Sequence, residues 1–248
     1  MSQPVLRAEG LELAFFGVKA ADGIDLEIRE GEFLAIIGSN GSGKTTFLNM
    51  CTGYLSPTAG TVYLGEKPIT GMAPRRIARL GIARAFQIPQ LFTDQTLLEN
   101  VMLAIASRRG IWEGLKPLNR SVYVEEALEL LALFGLERHA ETITGTLPEG
   151  LRKLADITLA LALNPKLLLL DEPTSGVSAI ERFSLMEKLM AALRSRQMTA
   201  LFVEHDMEVV RRYADRVVVW DAGKIIAEGN PAQVLKDPKV VERVVGVV

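Results

Sequence analysis

A single cysteine, Cys51, in 248 residues excludes an internal disulfide and suits a reducing compartment. It lies just after a glycine-rich stretch and reads as a small helix-packing residue. Neither sign of charge is in excess: 28 Lys plus Arg against 30 Asp plus Glu leave a net charge of −2. A nucleic-acid role therefore lacks its usual electrostatic support. No uninterrupted apolar run reaches the ~18 residues of a membrane span. The nearest, Ile157 to Leu170, is broken by Asn164-Pro165-Lys166, so any work at a membrane is expected to go through partners. Met1 to Gly10 carries Arg7 and Glu9 and no apolar segment, so no signal peptide is expected. Internal repeats and low-complexity segments are absent too. What remains, 48% hydrophobic and 23% charged, is the composition of an ordinary soluble globular protein. The length suits one large domain, or a core with a subdomain.

The most informative stretch is Ile36-Ile37-Gly38-Ser39-Asn40-Gly41-Ser42-Gly43-Lys44-Thr45-Thr46. It fits G-x-x-x-x-G-K-[ST] without a gap. The apolar run Phe33 to Ile37 before it reads as a buried strand, and Thr45 to Met50 after it, free of Gly and Pro, can start a helix. That is the context a phosphate-binding loop requires. Its glycines let backbone N–H groups turn inward, and the helix N-terminus adds to a fixed pocket for anionic oxygens. Lys44 is placed to reach the β- and γ-phosphates and Thr45 to hold Mg²⁺ through its hydroxyl.

Around this loop the chain reads as an α/β protein. Val5 to Phe16, Ile24 to Ile28 and Thr61 to Leu64 are strands of a small antiparallel portion. Pro57-Thr58-Ala59-Gly60 is a turn. Pro74 to Leu80 is a short helix and Ile82 to Phe86 a strand. From Leu97 to about His139 the spacing turns helical: Leu98, Val101, Met102 and Ile105, then Val124, Leu128, Leu131 and Leu133-Phe134, with Glu125, Glu126 and Glu129 opposite. A polar connection, Ser107 to Ser121 with Trp112 in it, lies between the two. Leu167 to Leu170 is fully apolar, as expected of a strand buried on both faces of a parallel sheet. Ala179 to Arg196 reads as a helix, and Thr199 to Val203 and Arg216 to Trp220 as strands. Asp221-Ala222-Gly223-Lys224 is a hairpin turn before Ile225 to Ala227. The reading is one domain over 1–248, with a mostly parallel core at 1–90 and 160–230, a helical subdomain at 90–160 and a helical tail at 231–248.

A second constellation sits at strand ends. Asp171-Glu172 follows the Leu167 to Leu170 run, and ligands of open α/β sheets bind at the carboxyl ends of strands. Asp171 is placed to reach the Mg²⁺ shell, and Glu172 to face the γ-phosphate and polarise the attacking water. Both could instead serve as acidic helix caps. His205 follows the strand Thr199 to Val203, where a neutral imidazole can hold the γ-phosphate and the water. His139, in a polar helix end, reads as structural. Gln87 follows Ile82 to Phe86 and has an amide oxygen to offer the Mg²⁺ shell.

In this order, Phe16-Gly17, the phosphate loop, Gln87, a signature region, Asp171-Glu172-Pro173 and His205, the chain resembles the ATP-binding subunits of ABC transporters over nearly its whole length. The resemblance implies a P-loop NTPase core with ATP and Mg²⁺ as cofactors. Phe16 would stack on adenine, Gln87 would be the Q-loop residue and His205 the switch histidine. Residues 90–160 would be the helical subdomain that docks on transmembrane permease subunits. A second ATP-binding subunit, identical or not, would complete a dimer, cytoplasmic and peripheral on the inner face of the cell membrane. The branched-chain amino-acid importer type is the nearest in likeness. The pointers are Ala85-Phe86-Gln87 with Leu91-Phe92, Val203-Glu204-His205-Asp206-Met207, Ile226-Ala227-Glu228-Gly229, and Asp237-Pro238-Lys239-Val240-Val241-Glu242. The likeness implies an ATP hydrolase that drives import. A nucleotide-binding regulatory subunit with little turnover, and a soluble switch protein outside transport, are the alternatives.

The chain departs from the family pattern at the signature, which binds the γ-phosphate held by the opposite subunit. The stretch here is Leu147-Pro148-Glu149-Gly150-Leu151. Pro148 in the serine position removes a hydroxyl and a backbone N–H donor. Glu149 brings a carboxylate towards a triphosphate, and Leu151 replaces glutamine. Leu159 stands where arginine is usual, and Ser178 where Asp or Asn is usual. A hydrogen bond to a charged group contributes about 1.5–3 kcal/mol, so losing one implies roughly tenfold to hundredfold weaker closure. Two expectations follow. One is an asymmetric pair, in which a partner's better signature completes this subunit's nucleotide. The other is that Gly150 and the helix N-terminus after it suffice.

Overall fold

Alternation along the strands organises the molecule, which a computed structural model describes over residues 4–110 and 121–245. In β3 (Phe33–Gly38) all six residues are buried, yet they serve two different cores. Phe33, Ala35 and Ile37 point to one face of the sheet and Leu34 and Ile36 to the other. The neighbours repeat the pattern. In β7 (Leu167–Asp171), Leu168 and Leu170 join the first core and Leu167 and Leu169 the second. In β8 (Thr199–Val203), Ala200 and Phe202 oppose Leu201 and Val203. In β9 (Arg216–Asp221), Val217 and Val219 oppose Val218 and Trp220. A strand covered on both sides needs apolar residues at every position, hence the continuous runs.

The main sheet has six strands in the order β10-β9-β3-β8-β7-β6, where β6 is Ile82–Ala85 and β10 Lys224–Gly229. Neighbours from β9 to β6 are parallel, and β10 pairs antiparallel with β9. A smaller antiparallel sheet, β2-β1-β4-β5, is built from β1 (Pro4–Phe15), β2 (Val18–Arg29), β4 (Ala59–Leu64) and β5 (Lys67–Pro68). It covers the second face together with α1 (Lys44–Cys51) and Ile77 of α2 (Pro74–Leu80). The first face carries α3 (Leu97–Arg109), α4 (Ser121–Ala132), α5 (Glu149–Ala162), α6 (Ala179–Ser195) and α7 (Met207–Tyr213). The tail holds α8 (Pro231–Val234) and α9 (Pro238–Val245). Among the described residues, no helix is long and apolar enough to cross a membrane.

Several readings are corrected. The strand read at Ile24 to Ile28 runs from Val18, because β1 and β2 form a continuous hairpin with Phe15 opposite Val18. In α4 the buried stripe is Tyr123, Ala127, Leu130 and Leu131, whereas Leu128 is exposed and Val124 half-buried. Two overlapping stripes share the 3.6-residue period, and packing on α3 and α5 selects the one carrying the aromatic ring. The tail is not one helix from Pro231. It breaks at 235–237, because Pro238 disfavours helical backbone at Asp237. Asp237 Oδ1 instead accepts from the Lys239 N–H at 2.9 Å, opening α9. Helix α7, not anticipated, is started by Asp206, whose carboxylate accepts from the Glu208 and Val209 N–H groups. Trp112 and most of the connection read at 107–121 lie outside the described residues, as do residues 1–3 and 246–248.

Candidate nucleotide site

The loop between β3 and α1 has the shape its glycines require. Gly41 and Gly43 lie at φ 77° and 110°, in the left-handed region. A Cβ at Gly43 would collide with the Ala20 carbonyl oxygen, and one at Gly38 with that of Trp220. The loop is thus clamped between β2 and β9. The Gly223 N–H donates to Ser42 O at 2.8 Å, and the Trp220 indole packs against Phe47 with ring centroids 5.1 Å apart. Lys44 is buried and donates to Gly38 O at 2.9 Å and Ser39 O at 2.8 Å, so its ammonium rests inside the loop. Burial pushes its pKa down, and the charges of Glu172 and Asp171 act in the opposite sense. Thr45 is exposed and Thr46 half-buried at the start of α1. Asn40 is exposed, and the buried Ser42 Oγ has no partner among the described residues.

Because β6, β7 and β8 are parallel neighbours, their ends deliver Gln87, Asp171-Glu172 and His205 together. Glu172 adopts φ 50°, and its N–H donates to Val203 O at 3.1 Å. Its carboxylate takes a hydrogen bond from Gln87 Nε2 at 2.7 Å through Oε2, while His205 Nε2 lies 2.9 Å from Oε1. Asp171 is buried. Its Oδ2 is paired with Arg84, and its Oδ1 has no partner among the described residues. Phe16 is fully exposed at the tip of the β1–β2 hairpin, at φ 49°.

Other charged residues here carried no functional signal in the sequence. Asp156, on α5, accepts from the N–H groups of Phe86 and Gln90, each at 2.9 Å, and so grips the backbone on both sides of Gln87. Burial pushes its carboxyl up to about 6. Lys153, one turn earlier, is buried and donates to Glu172 O at 3.1 Å and Gln87 O at 3.4 Å. Burial drives its pKa down against the surrounding carboxylates. Glu204 is buried and accepts from the Thr174 hydroxyl at 2.8 Å, steadying the loop after Glu172. The available signal was a charge on the apolar side of an amphipathic helix, or directly after an apolar strand.

The family model described as "ABC transporter" matches residues 21–175. The chain belongs to the ABC transporter family. It is 36% identical over 254 residues to the high-affinity branched-chain amino acid transport ATP-binding protein LivG of Salmonella typhimurium, covering 99% of each chain. It is likewise 36% identical to the probable LivG of Methanocaldococcus jannaschii, covering 98% of this chain and 97% of that one. A solved ATP-binding cassette of an ABC transporter in its ADP conformation superposes with a TM-score of 0.85 at 34% identity, over 99% of this chain and 100% of that one. As an ABC cassette the chain binds nucleotide and is an ATP hydrolase that energises a transporter.

The segment expected to be the signature, Pro148 to Leu151, starts α5. Pro148 is its N-cap, with no side-chain hydrogen bond. Glu149 turns its carboxylate onto Gly176 of its own chain, where a Cβ would collide with Oε1. A Cβ at Gly150 would meet nothing within 4 Å, so its face is open. Ser178 caps α6: its hydroxyl accepts from the Glu181 N–H at 3.3 Å and donates to Glu181 Oε2 at 2.7 Å. Leu159 packs half-buried against the first core.

The donors fit a nucleotide with Mg²⁺. Among the described residues no group of three or more His, Cys, Asp or Glu could hold a metal alone. Mg²⁺ keeps several waters and binds through one or two carboxylates plus substrate phosphates. One carboxylate oxygen without a partner, Asp171 Oδ1, and the exposed Thr45 at the start of α1, the helix that Arg84 links to Asp171, suit that pattern.

Proposed function

We propose that this chain powers a membrane importer of branched-chain or similar amino acids. It pairs with a second ATP-binding subunit and docks on transmembrane permease subunits through a helical subdomain at residues 90–160, at the inner face of the cell membrane. The names of the LivG relatives support the substrate class. The observation that carries the chemistry is the Glu172 carboxylate, held between Gln87 and His205 at the end of β7.

In this reading the N–H groups of Gly38 to Thr46 and the Lys44 ammonium bind the phosphates, and Phe16 stacks on the adenine. Thr45, Asp171 and Gln87 hold Mg²⁺, which when bound neutralises charge on the β- and γ-phosphates. Gln87 uses its amide nitrogen on Glu172 and keeps its amide oxygen for that shell. Glu172 takes a proton from the attacking water, and His205, within reach of the same carboxylate, orients that water. Pro148, Glu149 and Gly150 meet the partner's nucleotide. With the Glu149 carboxylate turned onto Gly176, the open Gly150 and the start of α5 remain to contact it. The missing donor at Pro148 favours an asymmetric pair, in which the nucleotide facing this signature turns over more slowly.

The test is steady-state phosphate release with Mg-ATP across protein concentrations. A positioned base contributes about 10²- to 10⁴-fold, so Glu172→Gln should lower release by that factor and leave nucleotide binding intact. Unchanged release in Glu172→Gln overturns the assignment. A more than linear rise with concentration means that the chain pairs with itself, which refutes the obligatory asymmetric pair. In vesicles carrying the permease subunits, ATP-dependent uptake of leucine, isoleucine and valine tests the substrate class.

A further inference from the structure

Arg84 has no counterpart among the roles assigned so far, yet it is among the most enclosed charges in the molecule. Its side chain is 5% exposed and that of its partner Asp171 3%. Strand alternation explains the meeting. Ile82 faces the second core, so Arg84, two residues on, faces the same way. Leu167 and Leu169 face it as well, which puts Asp171 on that side. Arg84 lies directly opposite Leu169, so Asp171 is its diagonal neighbour on one face of the sheet. That face is the one covered by α1.

The guanidinium uses two separate arms. One nitrogen, Nη2, pairs with Asp171 Oδ2; the other, Nη1, donates to Asn49 Oδ1 at 2.6 Å. Asn49 is one turn after Thr45 on α1. The group also lies 4.8 Å from the centre of the Phe86 ring, which closes over it. A planar fork with fixed donor directions holds two acceptors at a set separation, which an ammonium does not. With Oδ2 so occupied, the carboxylate presents Oδ1, the oxygen with no partner.

We infer that Arg84 is a positioning residue: it bridges the helix bearing Thr45 to Asp171 and so sets the separation and orientation of two of the protein groups that receive Mg²⁺. The inference rests on the Mg-nucleotide reading above. Outer groups that orient metal ligands typically contribute about 10- to 100-fold in metal affinity. Arg84→Lys keeps the charge and loses the fork. Asn49→Ala keeps the Arg84–Asp171 pair and removes the anchor on α1.

The experiment measures equilibrium binding of N-methylanthraniloyl-ADP by fluorescence, first without metal and then across a Mg²⁺ titration, for the intact chain and both variants. The expected result is unchanged metal-free affinity and a Mg²⁺ half-saturation raised about tenfold or more in each variant. Half-saturation within twofold of wild type in both overturns the inference. A shift in Arg84→Lys alone overturns the bridge, since the pairing with Asp171 would then act without α1. Loss of metal-free affinity overturns it too, because the groups that bind phosphate would be disturbed instead. Wild-type binding that ignores Mg²⁺ refutes the underlying metal reading, a result distinct from wild-type-like variants.

Discussion

Replacing Asp156 by asparagine should remove a pH dependence of stability that the buried carboxyl creates. Asp156 is 5% exposed, and burial pushes its pKa from 3.8 up to about 6; the hydrogen bonds from the Gln90 and Phe86 N–H groups and the charge of Lys153 oppose this without prevailing. Between those two values the native state holds a proton that the unfolded chain has lost. Its contribution is therefore full below 3.8 and is lost as the pH rises through about 6. A displacement of about two units, at 1.36 kcal/mol each, amounts to roughly 3 kcal/mol. Asparagine matches the size, keeps one acceptor for the Phe86–Gln90 backbone and has no proton to lose. The assay is urea unfolding of both proteins from about pH 4 to about pH 7, read as the difference between their unfolding free energies. Other titrating groups cancel in that difference, including Glu204, whose pKa burial also raises. Going down through the window, which stops just above 3.8, the wild type should gain about 2 kcal/mol on the variant. A difference constant to within about 0.5 kcal/mol would show that the carboxyl is not held at this pKa, and the reasoning would fail.

Phe16→Ala should weaken ATP binding by about 5- to 150-fold, the equivalent of about 1–3 kcal/mol of base stacking, and Phe16→Tyr should restore it. Because Phe16 is fully exposed, the unfolding midpoint should not move; equilibrium nucleotide titration beside thermal unfolding checks both. Arg216→Met should destabilise the fold by about 1.5–3 kcal/mol, because it removes the charge-assisted hydrogen bonds of the half-buried Glu32. Arg216 reaches Glu32 at 2.6 and 2.8 Å and Glu27 O at 2.5 Å, tying β9 to the turn before β3. Urea unfolding measures that loss, and adding Glu32→Gln should recover part of it.

Much of the fold was legible because local patterns carried it. The runs Phe33 to Ile37, Leu167 to Leu170 and Thr199 to Val203 are continuous because both faces of those strands are covered, and each is a central strand. Pro74 to Leu80 matches its helix at both ends, with proline at the start and Gly81 in the left-handed region after it. Where two apolar stripes competed, as on α4, the sequence could not choose between Leu128 and Tyr123. Only α3 and α5 supply the surface that decides. The length of β2 was hidden for a like reason, since its first half is held by pairing with β1 rather than by its own alternation.

The sequence alone determined the phosphate loop, because its chemistry resides in consecutive backbone N–H groups and a lysine at a set spacing. It also determined that Gln87, Asp171-Glu172 and His205 stand at strand ends, since a strand's end can be read from where its apolar run stops. Only the tertiary structure decided that these ends are adjacent. The order β8-β7-β6 depends on which strands pair across long stretches of chain. The same pairing set Arg84 diagonally across from Asp171, and α1 brought Asn49 to it. The docking of α5 likewise brought Asp156 to the backbone of Phe86 and Gln90. A buried charge is legible as an oddity in one dimension, but its partner is chosen by packing in three.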